Sequence, residues 1–129
     1  MASVMSATAA DQPKVPEIPG ITAADTKPNG CNDCHRKVDE TRDYSLATTI
    51  KAMVEAKRHP RVTERMLADL PKQCVSCHKP DSKQPFSESL HKAHLTGGAD
   101  NHFITNYQGQ CMYCHKLDPG TGRMSVKGL

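Results

Sequence analysis

At 129 residues the chain is long enough for one domain, while division into two would leave each half short of core. Hydrophobic residues make up only 36%, with two Phe, three Tyr and no Trp, so side chains alone supply too little apolar volume for a well-filled interior. The 17 basic and 14 acidic residues sum to +3 and are scattered without a contiguous basic stripe, which argues against a nucleic-acid surface.

Residues 1–10 are small and weakly apolar, and Ala7-Thr8-Ala9 fits the A-x-A pattern of a signal-peptide cleavage site with no full apolar region before it. Residues 1–10 are therefore expected to be the tail of a signal peptide or a disordered start. Residues 11–28 carry Pro13, Pro16, Pro19 and Pro28 with Gly20, which predicts an extended, irregular lead-in. The folded domain is placed at 29–129. No stretch reaches the roughly 18 apolar residues that a membrane-spanning helix needs.

Within the domain, Asp43-Tyr44-Ser45 introduces Leu46, Ile50, Met53 and Val54, a spacing that suits one face of a helix ended by His59-Pro60. Val62, Met66, Leu67 and Leu70 predict a second short helix stopped by Pro71. A third runs from Ser87 to Leu95, with Ser87 as its cap and Gly97-Gly98 as its terminator. No segment alternates convincingly as a strand. The fold class read from these signals is mainly α with extensive loops, short helices and little or no sheet.

All six cysteines fall into one repeated pattern, Cys31-Asn32-Asp33-Cys34-His35, Cys74-Val75-Ser76-Cys77-His78 and Cys111-Met112-Tyr113-Cys114-His115. C-x-x-C-H is the attachment signature of c-type haem. Two thiols three residues apart on a tight turn reach the two vinyl groups of one porphyrin, and the adjacent imidazole lies under the iron as its proximal ligand. Zinc would need pairs of C-x-x-C, commonly 15–20 residues apart, whereas here three stand 43 and 37 residues apart. Disulfides would not call for a histidine after every pair, and a thiol oxidoreductase would need only one C-x-x-C, in a βαβ setting that is missing. Three covalent haem c groups are therefore expected, and three large apolar macrocycles explain the sparse aromatics. Ferric iron, a dianionic porphyrin and two ionised propionates leave about −1 per haem, so part of the basic excess either balances propionates or is the exposed part of an ordinary mixed surface.

With His35, His78 and His115 as proximal ligands, His59, His91, His94 and His102 remain for three sixth positions. A haem with both axial positions filled offers no open site for a substrate, which points to electron transfer. His91 and His94 stand at i and i+3 on the third helix, on one face yet divergent enough to reach two irons. His59 lies 15 residues before Cys74 and His94 lies 17 before Cys111, so the two segments suggest a degenerate repeat of distal histidine, loop and motif. His102 sits in the loop after Gly97-Gly98 and is the strongest candidate for the surplus, hydrogen-bonded to a propionate or exposed. The first motif has no histidine before it, so its distal ligand must come from later in the chain. Met53, Met66, Met112 and Met124 are the competing donors, each explained more simply by packing.

The segment Phe86-Ser87-Glu88-Ser89-Leu90-His91-Lys92-Ala93-His94-Leu95, followed by Cys111-Met112-Tyr113-Cys114-His115, resembles the H-x-x-H then C-x-x-C-H module of class III multihaem cytochromes c. It is also similar to the small tetrahaem cytochromes and to flavocytochrome haem domains, although a fourth C-x-x-C-H is missing. The resemblance implies that His91 and His94 are haem ligands and that little regular structure surrounds closely packed bis-histidine haems. The function expected is a low-potential electron shuttle or wire in the periplasm or outside the cell of a bacterium or archaeon. It would run between a quinol-side donor and a terminal reductase, with a flavin-containing enzyme among the candidates for the latter. Two other readings remain open: a subunit of an extracellular haem filament or reductase complex, which would make the chain a homo-oligomer or a docked partner, and an enzyme with one open iron. No catalytic residue is assigned.

Overall fold

In the computed structural model, residues 13–129 are described; the segment 1–10, with its cleavage-like Ala7-Thr8-Ala9, lies outside them. The described chain forms short helices joined by loops: α1 (Cys31–Cys34), α2 (Leu46–Glu55), α3 (Glu64–Leu67), α4 (Phe86–Leu95) and α5 (His102–Tyr107). Single tight turns cover Lys72–Ser76, Gly98–Asp100 and Cys111–Tyr113. One hairpin follows, β1 (His115–Asp118) against β2 (Arg123–Val126), antiparallel with His115 opposite Val126 and Asp118 opposite Arg123. The mainly α, loop-rich architecture is the one expected.

Local chemistry fixes the helix ends. Ser45 caps α2 by accepting from the Thr48 amide at 3.4 Å, and the Asp43 carboxylate accepts from the Ser45 amide and the Thr48 hydroxyl. The helix stops before His59-Pro60, at Lys57 with φ 55°, where Arg58 N–H reaches back to the Met53 carbonyl at 2.8 Å. Thr63 caps α3 through the Met66 amide at 3.3 Å. On α4 the cap is Pro85 and not Ser87, which lies inside the first turn, because the chain enters the helix from an extended Pro85. Asn101 closes α4 by donating to the carbonyls of Ala93 and Thr96, and it opens α5 by accepting from the Phe103 amide. One side chain thus sets the angle between two helices, in a stretch that reads as plain loop.

The polypeptide has almost no core of its own. Leu67 and Met112 are the buried hydrophobic side chains among the described residues, while Val15, Tyr44, Met124 and Leu129 are about half exposed or more. The surface amounts to 10353 Å², against roughly 6,700 Å² for an ordinary folded chain of this mass. Burial at about 25 cal/mol per Å² cannot come mainly from side chain against side chain here.

A buried lysine ties the two ends of the domain. The Lys127 ammonium bonds Asp25 at 2.8 Å and the carbonyls of Lys27 at 2.9 Å and Met112 at 2.7 Å, while its own amide donates to the Cys114 carbonyl. Three polar partners satisfy a charge whose side chain is 4% exposed. Gly30 makes this approach possible: its φ is +64°, and a Cβ there would stand 2.8 Å from the Lys127 Cβ. Gly30→Ala should therefore destabilise the folded protein by about 1–3 kcal/mol, read as a lower melting temperature of the haem-loaded chain; an unchanged melting temperature would show that this contact is slack.

Candidate functional site

The three C-x-x-C-H motifs adopt closely related local structures. In the first, α1 is a single helical turn and His35 N–H donates to the Cys31 carbonyl at 2.7 Å. In the second, His78 N–H donates to the Cys74 carbonyl at 2.9 Å, and in the third Cys114 N–H donates to the Cys111 carbonyl at 3.2 Å. One turn of tight helix between the cysteines puts both thiols on the same side, with histidine immediately after. The motifs also lie close to one another. The Asn32 amide of the first motif donates to the Leu70 carbonyl just before the second, and Lys127 holds the Met112 carbonyl of the third beside the lead-in.

Each motif histidine faces one other imidazole. His35 faces His94, His78 faces His59, and His115 faces His91, with ring centroids 6.1 Å apart in all three pairs. An iron bound on opposite sides by two imidazoles, at about 2 Å per bond, holds the ring centroids roughly 6 Å apart. The ring planes differ by 86° in the first pair, 40° in the second and 31° in the third. The i, i+3 pair on α4 is divided between two motifs, as its divergence suggests. The ring opposite the third motif is His91, 20 residues before Cys111, and not His94 as the repeat spacing suggests; His94 reaches back to the first motif. His102 begins α5, is exposed, and faces none of the other imidazoles among the described residues.

The second nitrogens of several rings are fixed. Nδ1 of His59, His78 and His94 lies 2.7, 2.6 and 2.9 Å from the carbonyls of Pro60, Gln84 and Leu90, each of which accepts the ring proton. Such a bond sets the tautomer, leaving Nε2 bare as a metal donor. Burial holds the His35 imidazole below its ordinary value and the nearby His94 adds to the effect, while a hydrogen bond to the Tyr44 backbone opposes it. The neutral ring, which is the form that binds metal, is favoured. The Phe103 ring packs edge-on against His94 at 5.4 Å, backed by Tyr107 and Tyr113. Burial pushes the free thiols of Cys31, Cys74 and Cys114 upward, and Cys31 raises the other two further. That is the opposite of the depressed thiol of a redox C-x-x-C.

The family model for cytochrome c7 and related cytochrome c matches residues 20–116. The chain belongs to that family. It is a multihaem electron-transfer cytochrome of the c type, carrying three covalent haem c groups on its six cysteines. No curated protein and no solved structure gives a significant match. The residues fit the group: three thiol pairs, three facing imidazole pairs and an interior that side chains leave unfilled. When bound, the haems supply the electron chemistry, and the chain supplies axial donors, burial and spacing. Among the described residues no helix is long and apolar enough to cross a membrane.

Lys127 and Asp25 are the site residues that sequence reading misses, since they stand 102 positions apart and neither lies in a motif. Asn101 and Phe103 are missed for the same reason. Asp25 is held below the usual carboxylate range, chiefly by its hydrogen bond to Lys127. A depressed folded-state value contributes stability that is fully present at neutral pH and is lost as the pH falls from about 3.9 through the lower, folded value. Lys127→Met should cost about 2–3 kcal/mol and flatten the acid limb of the stability curve in thermal melts of the holoprotein; an unaltered acid limb would contradict the latch.

Proposed function

We propose that this cytochrome is a low-potential electron carrier whose irons are each closed by two histidines: His35 with His94 on the first haem, His78 with His59 on the second, and His115 with His91 on the third. The observation that carries the reading is the set of three imidazole pairs at a common 6.1 Å. Six-coordinate iron leaves no position for a substrate, so the chemistry is outer-sphere electron transfer and the chain acts as a carrier and not an enzyme. Two imidazoles keep the potential below that of a His/Met haem. His102 has no ligand role in this assignment.

The Asn32 amide of the first motif reaches the Leu70 carbonyl just before the second, and Lys127 holds the Met112 carbonyl of the third beside the lead-in to the first, which supports closely spaced haems and a short path through the molecule. The partners are redox proteins, a donor on the quinol side and a terminal reductase, in the periplasm, where covalent haem attachment and this family are at home.

Two measurements test the assignment. All three haems should titrate below about +200 mV, with ferric spectra that are entirely low-spin. His94→Ala should open one iron of the three and convert about one third of the ferric haem to high-spin, while His102→Ala leaves the spectrum unaltered. A high-spin fraction in the native protein, or an altered spectrum in His102→Ala alone, would overturn the assignment.

A further inference from the structure

The bases are unevenly divided along the chain. Between the start of α2 and the start of α4, residues 46–85 hold eight Lys and Arg against four Asp and Glu, while the rest of the chain holds nine against ten. The whole positive excess therefore lies on the one segment that carries the second motif and His59. Haem adds the same charge to each motif, so loading leaves this asymmetry in place.

Within the segment the bases adjoin His59 and His78 along the chain. Lys57 and Arg58 precede His59, Arg61 follows it by two residues, and Arg65 stands on α3. On the other side, Lys79 follows His78 directly and Lys83 comes four residues later. All six are exposed, and none is in an ion pair among the described residues. The one base of the segment that is paired, Lys51, bonds Glu64 at 3.4 Å and so removes an acid from the same face. Elsewhere Lys37 and Arg42 are neutralised by Glu40 and Asp39, and Lys127 by Asp25. Burial of bases for packing does not explain six exposed, unpaired cations around one haem position.

We propose that this basic face is the docking surface for an acidic redox protein, one that presents carboxylates around its own redox centre, so that electrons cross between the partners at the second haem. The proposal rests on the electron-carrier reading above. Complementary charge of this kind raises association rates and aligns the two centres, and salt screens it. A partner with a basic or apolar face would gain nothing from this arrangement.

The test uses the haem-loaded protein and a reduced plant-type [2Fe–2S] ferredoxin as an acidic donor, with haem reduction followed by stopped flow. The second-order rate should fall at least about tenfold between roughly 10 and 200 mM salt. Replacing Arg58, Arg61 and Arg65 together by Gln should lower the low-salt rate about tenfold and flatten its salt dependence, with haem spectra unaltered. Replacing Lys14, Lys116 and Arg123 by Gln removes the same charge elsewhere and should change the rate by less than about twofold. Equal loss in both variants, or loss in neither, would overturn the docking surface. Reduction by dithionite separates the two levels of the proposal: haems that it cannot reduce would defeat the carrier reading itself.

Discussion

A chain in which Leu67 and Met112 alone are buried hydrophobic side chains among the described residues is not held by its own interior. On the ligation proposed above, its order depends on the join between polypeptide and porphyrin: two thioether bonds and one axial histidine per motif, repeated three times. Every helix in the described chain is ten residues or shorter, a length at which isolated helices are marginal in water. Four of the five stand at or beside a motif or one of the facing histidines. α1 is itself the first motif, α2 leads to His59, α4 carries His91 and His94, and α5 lays Phe103 on His94.

The remaining polar devices aim these anchors. Asn101 closes one helix and opens the next, which sets Phe103 over His94. Backbone carbonyls hold the outer nitrogens of His59, His78 and His94, so their donor nitrogens face inward. Lys127, returned by the β1–β2 hairpin, fastens the lead-in to the third motif by way of Asp25. The hairpin turn is built by Asp118, whose carboxylate accepts from the amides of Gly120 and Thr121. Small polar groups thus position large apolar ones, the reverse of an ordinary globular core.

Much of the site was legible in the sequence because haem attachment is a local grammar. Cysteines, histidine and their spacing stand within five residues, and the i, i+3 pair on α4 points to two imidazoles that face two different motifs, as the structure places them. What sequence could not give was the partner of each ring, since His35 meets His94 across 59 positions and spacing alone favoured the third motif for it. The hairpin escaped notice because four-residue strands are too short to show alternation. The helix expected from Val62, Met66, Leu67 and Leu70 is the single turn α3, opened by the Thr63 cap and replaced by turn from Ala68 onward. The charge asymmetry was present in the sequence all along, but it becomes a surface only once His59 and His78 are seen to face each other.

Facing imidazoles, shared helices and a thin side-chain core all follow from three porphyrins on one chain. The most direct test is the mass of the purified, denatured polypeptide together with its pyridine haemochrome spectrum. The account requires the mass of the chain plus three haems and a haemochrome equivalent to three per polypeptide. A colourless chain, a protein that holds zinc, or fewer than three haems on a fully processed chain would contradict it.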